Sequence, residues 1–381
     1  MSVLPTSRPA TPFAVVDRDR LQANIDRMAR LAADRGQTLR PHAKTHKCPQ
    51  IAALQLEAGA GGLTVATLGE AEVFADAGCT DLLIAYPVWW DADRGARAAR
   101  LAGRVRLAVG VDSVEAVQHL AAMLGVSAGR PLDPDAPGAP GASGPETPGA
   151  LPELMVEVDC GHHRSGCLPQ DAGRVARAGL EAGFVVRGVF AFPGHSYTPT
   201  GREEVAAQEA RDLAAAARTV HEAGVLDPLV SGGSTPTVEH EVSGFDEVRP
   251  GVYVVGDAQQ WELGTCSPQE IALTIHATVV SHAGGRLVLD AGSKALGADR
   301  AAWATGFGRL LDHPEARIEL LSEHHAVAVL PEGQELPALG AEVRVVPNHA
   351  CNAVNLTDEL WVESGGELVE AWPVAARGLN A

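Results

Sequence analysis

Three cations and two histidines stand within the ten residues LRPHAKTHKC (39–48), in a chain of 381 residues with only 30 Lys and Arg. The helical patterns on either side place the stretch between the end of a strand and the start of a helix, where α/β enzymes carry their chemistry. A partly desolvated lysine beside other cations has a lowered pKa and forms a Schiff base with a carbonyl. Lys44 is the candidate, because Lys47 lies one helical turn later and is expected to point elsewhere. The alternative is a solvated surface patch.

A second candidate is VSGGSTPT (230–237), a predicted strand that runs into a glycine-rich turn. Backbone N–H groups freed by glycines, together with hydroxyls, form an anion cradle suited to a phosphate. The residues that would form this cradle are Gly232, Gly233, Ser234 and Thr235. Barrels usually bind phosphate in such late loops, although glycines are also common in ordinary βα loops. The following EVRPGVYVVGD offers Gly251 and Tyr253 to complete the cradle.

Two further loops follow predicted strands and carry polar side chains. VEVDCGHHRSGC (156–167) holds Arg164, which is suited to donate to an anionic cofactor oxygen. The cysteines and histidines of this loop are Cys160, His162, His163 and Cys167. They lack the CxxC and HxxxH spacing of zinc sites. AFPGHSY (191–197) places His195 and Tyr197 after a strand-ending glycine, and a lone histidine is more often structural than catalytic.

The last candidate pair is His349 and Cys351 in VPNHACNAVNL (346–356). On a regular strand, side chains two residues apart project from the same face, so both side chains would reach one metal ion. Imidazole with thiolate favours zinc over magnesium or manganese. Two protein ligands are too few for a structural site, so the ion would keep open positions for water or substrate. The alternative is a buried cysteine beside a hydrogen-bonded histidine.

The elements that must position these residues alternate short β-branched runs with Ala/Leu/Arg helices from residue 14 to about 262. The first helix has one apolar face, formed by Leu21, Ile25, Met28 and Leu31. Counting the strand before Lys44 and GVYVVGD near residue 254 gives about eight βα units. The count favours an α/β fold with a parallel (β/α)8 barrel over an open doubly wound sheet.

The residue pattern of the sequence changes after this predicted barrel. From residue 263 to 381, apolar and polar residues alternate between glycine turns, which predicts a smaller antiparallel β domain that residues 1–13 are candidates to join. The Pro/Gly-rich stretch 127–153 is expected to be a flexible surface excursion of the barrel.

The amino-acid composition indicates which classes of partner and which compartment to expect. The formal net charge of −18 argues against a nucleic-acid partner, which would need a basic face on the protein. No apolar stretch approaches the roughly 20 residues of a membrane span, and the first residues lack an apolar signal core. Six cysteines without a regular framework fit a reducing cytoplasm, with thiols free or metal-bound. A cytoplasmic enzyme acting on a small molecule is therefore expected.

Nine motifs occur in order between residues 40 and 378: RPHAKTHK, DCGHHRSG, PGHSY, SGGSTPT, EVRPGVYVVGD, DAGSKAL, LSEHH, PNHACNAVNL and WPVAARG. Together they resemble the D-threonine aldolase and D-serine dehydratase group, pyridoxal-phosphate enzymes with an alanine-racemase-like barrel and a C-terminal β domain. The resemblance covers nearly the whole chain apart from 127–153. It implies a divalent metal, D-amino acid substrates and a homodimer whose β domain caps a barrel mouth.

The resemblance also implies roles for single residues. Lys44 would be the Schiff-base lysine, Arg164 the partner of the cofactor's phenolic oxygen, and His349 and Cys351 the metal ligands. The cations of LRPHAKTHKC would surround the anionic cofactor. The cofactor's phosphate and ring would be surrounded by Tyr197, Gly232, Gly233, Ser234, Thr235, Gly251 and Tyr253.

The reaction stays divided between subgroups. Released Lys44 would be the base for the Cα proton, and loss of a metal-bound β-hydroxyl would give a 2-keto acid and ammonia. With His195 or a metal-bound water as base for that hydroxyl, the Cα–Cβ bond would break instead, giving glycine and an aldehyde. His349-Ala350-Cys351 is the dehydratase-like form of the aldolase His-x-Asp, whereas NAVNL is aldolase-like, and the dehydratase is favoured.

Two other classes fit less well. A racemase would need a second base, commonly a tyrosine from the β domain, and none of the three tyrosines lies beyond residue 253. A non-catalytic cofactor-binding protein would be a single barrel, without the roughly 115 residues that follow it here.

Overall fold

The computed structural model describes residues 8–126, 150–240 and 244–381. Within these ranges the strands are β1 (Phe13–Asp17), β2 (Thr38–Leu39), β3 (Leu63–Val65), β4 (Asp81–Pro87), β5 (Arg106–Val111), β6 (Glu153–Glu157), β7 (Val186–Phe190), β8 (Leu229–Gly232), β9 (Glu247–Val248), β10 (Leu273–Ser281), β11 (Leu287–Leu289), β12 (Gly308–Leu310), β13 (Arg317–Leu321), β14 (Ala326–Val329), β15 (Glu342–Pro347), β16 (Glu359–Ser364) and β17 (Glu367–Pro373). The helices are α1 (Arg18–Asp34), α2 (Pro49–Glu57), α3 (Leu68–Asp76), α4 (Ala92–Ala102), α5 (Val114–Met123), α6 (Ala172–Glu181), α7 (Arg202–Glu222), α8 (Ala258–Leu263), α9 (Ser293–Leu296) and α10 (Ala350–Val354).

Eight parallel strands form the first sheet, in the order β2-β9-β8-β7-β6-β5-β4-β3. A parallel bridge between His42 and Thr64 joins the two end strands, so the expected parallel eight-stranded α/β fold is confirmed. The eighth strand is β9 rather than GVYVVGD, whose residues Val252–Val254 form a 3-10 turn. Pro250 lies between the two, and a proline has no N–H to continue a ladder.

The predicted helix face and the sheet interior are both apolar. In α1, Leu21, Ile25 and Met28 are buried, as the periodicity of the sequence requires. Side chains of four neighbouring strands form a packed layer inside the parallel sheet, where burial of apolar surface stabilises the fold: Leu83, Ala108, Met155 and Phe190.

A buried ion network follows β2. Arg40 has a side chain only 2% exposed and pairs with Glu247 at 2.5 Å and with Asp81 at 2.7 Å. Asp81 also pairs with Arg187 at 3.2 Å. Burial alone would lower the pKa of Arg40, but the charges of Glu247 and Asp81 outweigh it and raise that pKa. Arg40 was expected to face an anionic cofactor, and this expectation is wrong, because two carboxylates already neutralise it.

The second sheet has nine strands and is mostly antiparallel, as predicted for the C-terminal region. Its main path runs β13-β14-β11-β10-β1-β16-β17, and β15 pairs with both β10 and β12. Strand β1 pairs antiparallel with β10 and parallel with β16, so the beginning of the chain adds a strand to this sheet. Ala258, Ile271 and Val346 form a core cluster in the same region.

The chain forms two compact units, each built from separated segments. The parallel-sheet unit contains Ala29–Lys44, Gln55–Pro250 and Leu379–Ala381. The C-terminal-sheet unit contains the described chain up to Met28, Thr45–Leu54 and Gly251–Gly378. Because each unit draws on several segments, single domains at 14–262 and 263–381 stay a prediction.

Most of the predicted excursion at 127–153 lies outside the described residues, which resume at residue 150. Across residues 8–126, 150–240 and 244–381, no helix combines the length and the apolar character needed to cross a bilayer.

Candidate active site

Lys44 and Arg164 lie against the same aromatic ring in the parallel-sheet unit. Lys44 is in a 3-10 turn after β2, Arg164 in the loop after β6, and Phe192 two residues after the end of β7. The Nζ of Lys44 is 5.4 Å from the centre of the Phe192 ring, and the Cζ of Arg164 is 5.0 Å from it. Both distances are in the range of cation–π interactions. Two residues assigned to one cofactor are therefore neighbours, although 120 residues separate them in the sequence.

His195 lies in the turn Gly194–Ser196, with its ring stacked 6.4 Å from that of His162. Gly194 permits this approach, because a Cβ at that position would come within 2.4 Å of the His162 ring. Burial, and then the charge of Arg164, lowers the pKa of His162. Within the described parts of the chain, both ring nitrogens of His195 are buried without a hydrogen-bond partner. Buried polar atoms are seldom left in this state unless they serve a ligand or water.

Tyr197 follows the same turn and is half-buried. Its ring centre is 6.1 Å from that of Phe192, so it belongs to the group around Lys44 and Arg164. Its assignment to the cofactor stays a prediction.

The glycine-rich turn after β8 is buried and internally hydrogen-bonded. Gly233 has a φ of +76°, which favours glycine, and its N–H donates to Glu209 at 2.8 Å. The Ser234 N–H donates to the Thr237 hydroxyl at 2.9 Å, and the Ser234 hydroxyl lies 3.1 Å from that of Ser196. The expectation that the glycines leave these N–H groups free is therefore wrong for Gly233. The cradle roles of Gly232, Gly233, Ser234 and Thr235 stay predictions.

Glu209 is a residue that the sequence reasoning missed. It is fully buried on α7, and burial raises its pKa to about 8 despite the N–H donated by Gly233. Its second carboxyl oxygen has no hydrogen-bond partner among the described residues. The signal was present, because position 209 falls on the apolar face of α7 with Val205, Leu213 and Ala216. An acidic residue on such a face indicates a specific polar partner.

Gly251 and Tyr253 belong to the C-terminal-sheet unit, in and just before the turn Val252–Val254. Gly251 has a φ of −119°, a conformation open to most residues, and Tyr253 is buried. Their assignment to the cofactor stays a prediction.

His349 and Cys351 do not lie on a strand. Strand β15 ends at Pro347 and α10 begins at Ala350, so His349 is the N-cap and Cys351 is in the first helical turn. The strand argument for a shared face is wrong locally, yet the two side chains still interact. Burial alone would lower the pKa of His349, but the charge of Cys351 and the hydrogen bond to Asp299 raise it to about 11. The Cys351 Sγ is also 3.4 Å from the Thr45 hydroxyl.

Asp299 is a second residue that the sequence reasoning missed. Its Oδ2 lies 2.5 Å from Nδ1 of His349. Burial would raise the pKa of Asp299, but this hydrogen bond and the charge of His349 lower it. The residue lies just beyond the motif DAGSKAL, 50 positions before its partner, and no local pattern links the two.

The cysteines and remaining histidines supply no larger cluster. All six cysteines are free thiols. In the loop 158–167, His163 pairs with Asp159 at 2.8 Å, and burial raises the pKa of Cys167 to about 12. Within the described residues, no three His, Cys, Asp or Glu side chains gather closely enough to hold a metal ion.

Two family models and several known proteins match this chain. The model "Alanine racemase, N-terminal domain" matches residues 16–259, and "Putative serine dehydratase domain" matches residues 272–363. D-threo-3-hydroxyaspartate dehydratase of Delftia sp. (strain HT23) is 35% identical over 368 residues, 90% of each chain. D-threonine aldolase of Arthrobacter sp. is 31% identical over 389 residues, 99% of this chain and 95% of the aldolase.

Solved structures give the same result. D-threo-3-hydroxyaspartate dehydratase from Delftia sp. HT23 and a variant of such a dehydratase in a metal-free form each match with a TM-score of 0.83 and 32% identity. The match covers 96% of this chain and 97% of theirs. The fold and the matches define a pyridoxal-phosphate-dependent lyase with an alanine-racemase-like fold. The chain belongs to the D-threonine aldolase and D-serine dehydratase family.

Proposed function

We propose that this chain is a dehydratase of D-3-hydroxy amino acids that uses pyridoxal phosphate on Lys44 and a divalent metal on His349 and Cys351. The observation that carries the proposal is the interaction of a thiol with an imidazole in the turn before and within α10. The thiol stands where the aldolase-like form has a carboxylate. The similarity to D-threo-3-hydroxyaspartate dehydratase supports the same subgroup.

The residues of the parallel-sheet unit fit an anionic cofactor that carries an aldehyde. Lys44 offers a primary amine beside the Phe192 ring, and Arg164 offers a guanidinium on the same ring. The two ring nitrogens of His195 are buried without a hydrogen-bond partner in the described chain, so they can form hydrogen bonds with a bound group. We assign Lys44 to the covalent link and Arg164 to the phenolic oxygen. The phosphate and ring are assigned to the turn 232–235 and to Tyr197, Gly251 and Tyr253.

The donor set of the C-terminal-sheet unit fits a borderline-soft divalent ion. A thiolate and an imidazole are ligands that zinc prefers, whereas magnesium and manganese prefer oxygen. The absence of a third acidic or imidazole ligand among the described residues fits an ion with open positions rather than a structural one. Zinc is therefore the proposed metal, ahead of manganese and magnesium.

The chemistry follows from these assignments. When bound, pyridoxal phosphate withdraws electrons from the bonds to Cα, and the metal polarises the β-hydroxyl as a leaving group. The Lys44 amine takes the Cα proton as general base. The Phe192 ring, 5.4 Å from the Lys44 Nζ, orients this amine. Elimination releases water from Cα and Cβ, and hydrolysis of the resulting enamine gives a 2-keto acid and ammonia.

A retro-aldol cleavage is the second candidate. The similarity to D-threonine aldolase extends over 99% of this chain, and NAVNL follows the metal pair. This reaction needs a base for the β-hydroxyl proton, for which His195 is the candidate. A thiolate donates more charge to a metal than a carboxylate does, which makes a bound hydroxyl less acidic. The Cys351 thiolate therefore disfavours deprotonation of the hydroxyl, the step with which the retro-aldol route would begin.

Product analysis tests the proposal. The purified protein is incubated with pyridoxal phosphate, Zn²⁺ or Mn²⁺ and one of D-serine, D-threonine or D-threo-3-hydroxyaspartate, with the L-enantiomers as controls. We expect 2-keto acid and ammonia from D-substrates only, lost on chelation and restored by Zn²⁺. Glycine and acetaldehyde from D-threonine would establish the aldolase instead.

A matched variant asks whether the thiol decides the reaction. Cys351→Asp recreates the aldolase-like ligand pair, and Cys167→Asp changes a cysteine outside the metal pair. We expect Cys351→Asp to raise the ratio of glycine to 2-keto acid from D-threonine and Cys167→Asp to leave it unchanged. An unchanged ratio in Cys351→Asp would mean that Cys351 does not dictate the outcome.

The assembly and compartment are also part of this proposal. We infer a homodimer in the cytoplasm, acting on a small-molecule substrate without a nucleic-acid or membrane partner. Light scattering of the purified protein should give twice the chain mass of 39.6 kDa. A mass of one chain in an active sample would contradict the dimer.

A further inference from the structure

Hydrogen bonds between side chains and the backbone fix the turn that carries His349 and Cys351. The Asn348 side chain donates to the carbonyl of Gly306 at 2.7 Å. The carbonyl of Asn348 accepts from the Gln259 side chain at 3.0 Å. Asp257 accepts from the Ala350 N–H at 3.1 Å and from the Gln260 N–H at 2.8 Å, so one buried carboxylate caps both α8 and α10. His349 is therefore held in place, and only its ring remains to be oriented.

The same network holds Asp299 beside that ring. The Gln259 amide that donates to Asn348 also accepts from the Ala301 N–H at 3.2 Å through its oxygen. Gln259 thus links the segment after α9 to the segment before α10. As a result, Oδ2 of Asp299 lies 2.5 Å from Nδ1 of His349.

This contact selects one form of the imidazole. A carboxylate accepts but does not donate, so Nδ1 must carry the proton. In the neutral ring, the lone pair is then on Nε2, which becomes the only donor atom for a metal. A carboxylate behind a metal-bound histidine both fixes the ring and increases its basicity.

We propose that Asp299 is a positioning residue of the metal centre: it holds His349 as the Nδ1–H tautomer and directs Nε2 to the ion beside the Cys351 sulfur. The inference rests on the metal site of the proposed function. It adds a role for a carboxylate that is not itself a ligand. Asp257 and Gln259 act behind it by fixing the two backbone segments.

Zinc affinity tests this role without depending on turnover. The dissociation constant of Zn²⁺ is measured by competition with a chromogenic chelator for the full-length protein and for Asp299→Asn and Asp299→Ala. Loss of an outer carboxylate typically weakens metal binding about 10- to 100-fold. We expect Asp299→Ala to reach that range and Asp299→Asn to fall between it and the unmodified protein, because its amide oxygen still accepts from Nδ1.

The matched control is Asp358→Asn, which removes a carboxylate that pairs with Arg377 on the surface of the same unit. It should leave the dissociation constant unchanged within about twofold. Bound cobalt gives a second readout, because the thiolate-to-cobalt absorption band should shift in the Asp299 variants and not in Asp358→Asn. Pyridoxal phosphate content should be the same in all of them.

Two outcomes separate failure of this inference from failure of the metal site. If His349→Ala and Cys351→Ala abolish zinc binding but both Asp299 variants bind as tightly as the unmodified protein, the positioning role is overturned and the site stands. If His349→Ala and Cys351→Ala bind zinc normally, the metal site itself is wrong. Asp299→Asn is nearly isosteric, so it decides the matter even if Asp299→Ala does not fold.

Discussion

Arg40 and Lys44 stand four residues apart in one cationic stretch, and the fold uses them in opposite ways. Arg40 is buried between the carboxylates of Glu247 and Asp81. Lys44 lies half-buried on the Phe192 ring beside a second cation, Arg164. Arg40 comes directly after β2, and Lys44 is in the 3-10 turn that follows.

The difference shows how a structural charge is distinguished from a chemical one. A buried cation must be neutralised, because an unpaired buried charge costs several kcal/mol. Lys44 instead shares the Phe192 ring with a second cation, Arg164. The sign of a residue's own charge therefore does not indicate its role, whereas the charges of its neighbours do.

The largest expected effect is that of Lys44→Ala. Loss of the general base and of the covalent link should lower kcat/KM by about 10⁴-fold or more. The thermal midpoint should change little, since Lys44 is half-buried. Steady-state kinetics and calorimetry on the same sample check both statements.

Chemical trapping sharpens this prediction, because the chain contains only three lysines, Lys44, Lys47 and Lys294. Borohydride should fix the cofactor on the peptide that contains Lys44. Lys294→Ala is the control, since its exposed ammonium pairs with Glu323 on the surface. Trapping on Lys47 or Lys294 would show that the wrong cation was chosen.

Arg40→Ala should have the opposite profile. Removing Arg40 takes away the cation that pairs with both Glu247 and Asp81, and the free energy of unfolding should fall by about 3–5 kcal/mol. Arg104→Ala removes a surface pair with Asp76 and should cost less than about 1 kcal/mol. Urea denaturation followed by circular dichroism measures both. Equal effects would mean that the network inside the sheet is no different from a surface ion pair.

His195→Leu should separate activity from stability. Its ring nitrogens are buried and unpartnered in the described structure, so their removal should raise the free energy of unfolding by about 1 kcal/mol. If His195 transfers protons, kcat should fall about 10²-fold. His221→Leu, on the exposed end of α7, should change neither. A loss of stability without a loss of activity would assign His195 to the core instead.

Glu209→Gln tests a pH dependence of stability rather than a fixed loss. Burial raises the pKa of Glu209 from 4.5 to about 8, so between these values the folded chain keeps a proton that the unfolded chain releases. Rising pH then favours unfolding, by about 1.4 kcal/mol per pH unit. Relative to Glu209→Gln, the unmodified protein should lose stability from pH 5 to pH 8. Parallel curves would show that Glu209 is ionised in the folded state.

Local patterns predicted the fold and the positions of the strand-end loops well. The 3.6-residue period identified the buried face of α1, and alternating elements predicted the eight parallel strands. Patterns did less well where the chain turns. The spacing of His349 and Cys351 indicated a strand, but the buried Asp257 caps a helix there, and its partner Ala350 is 93 residues away.

The sequence by itself determined the class of fold and the position of Lys44 after a strand, and it offered the residue types of the proposed metal pair. Periodicity and turn chemistry act over a few residues, so they can be read locally. Only the tertiary structure decided which polar groups are satisfied. Arg40 meets Glu247 across 207 residues, Gly233 meets Glu209 across 24, and His349 meets Asp299 across 50. Charge compensation and hydrogen bonding depend on distance in space, so they separate structural from chemical residues only once the chain has folded.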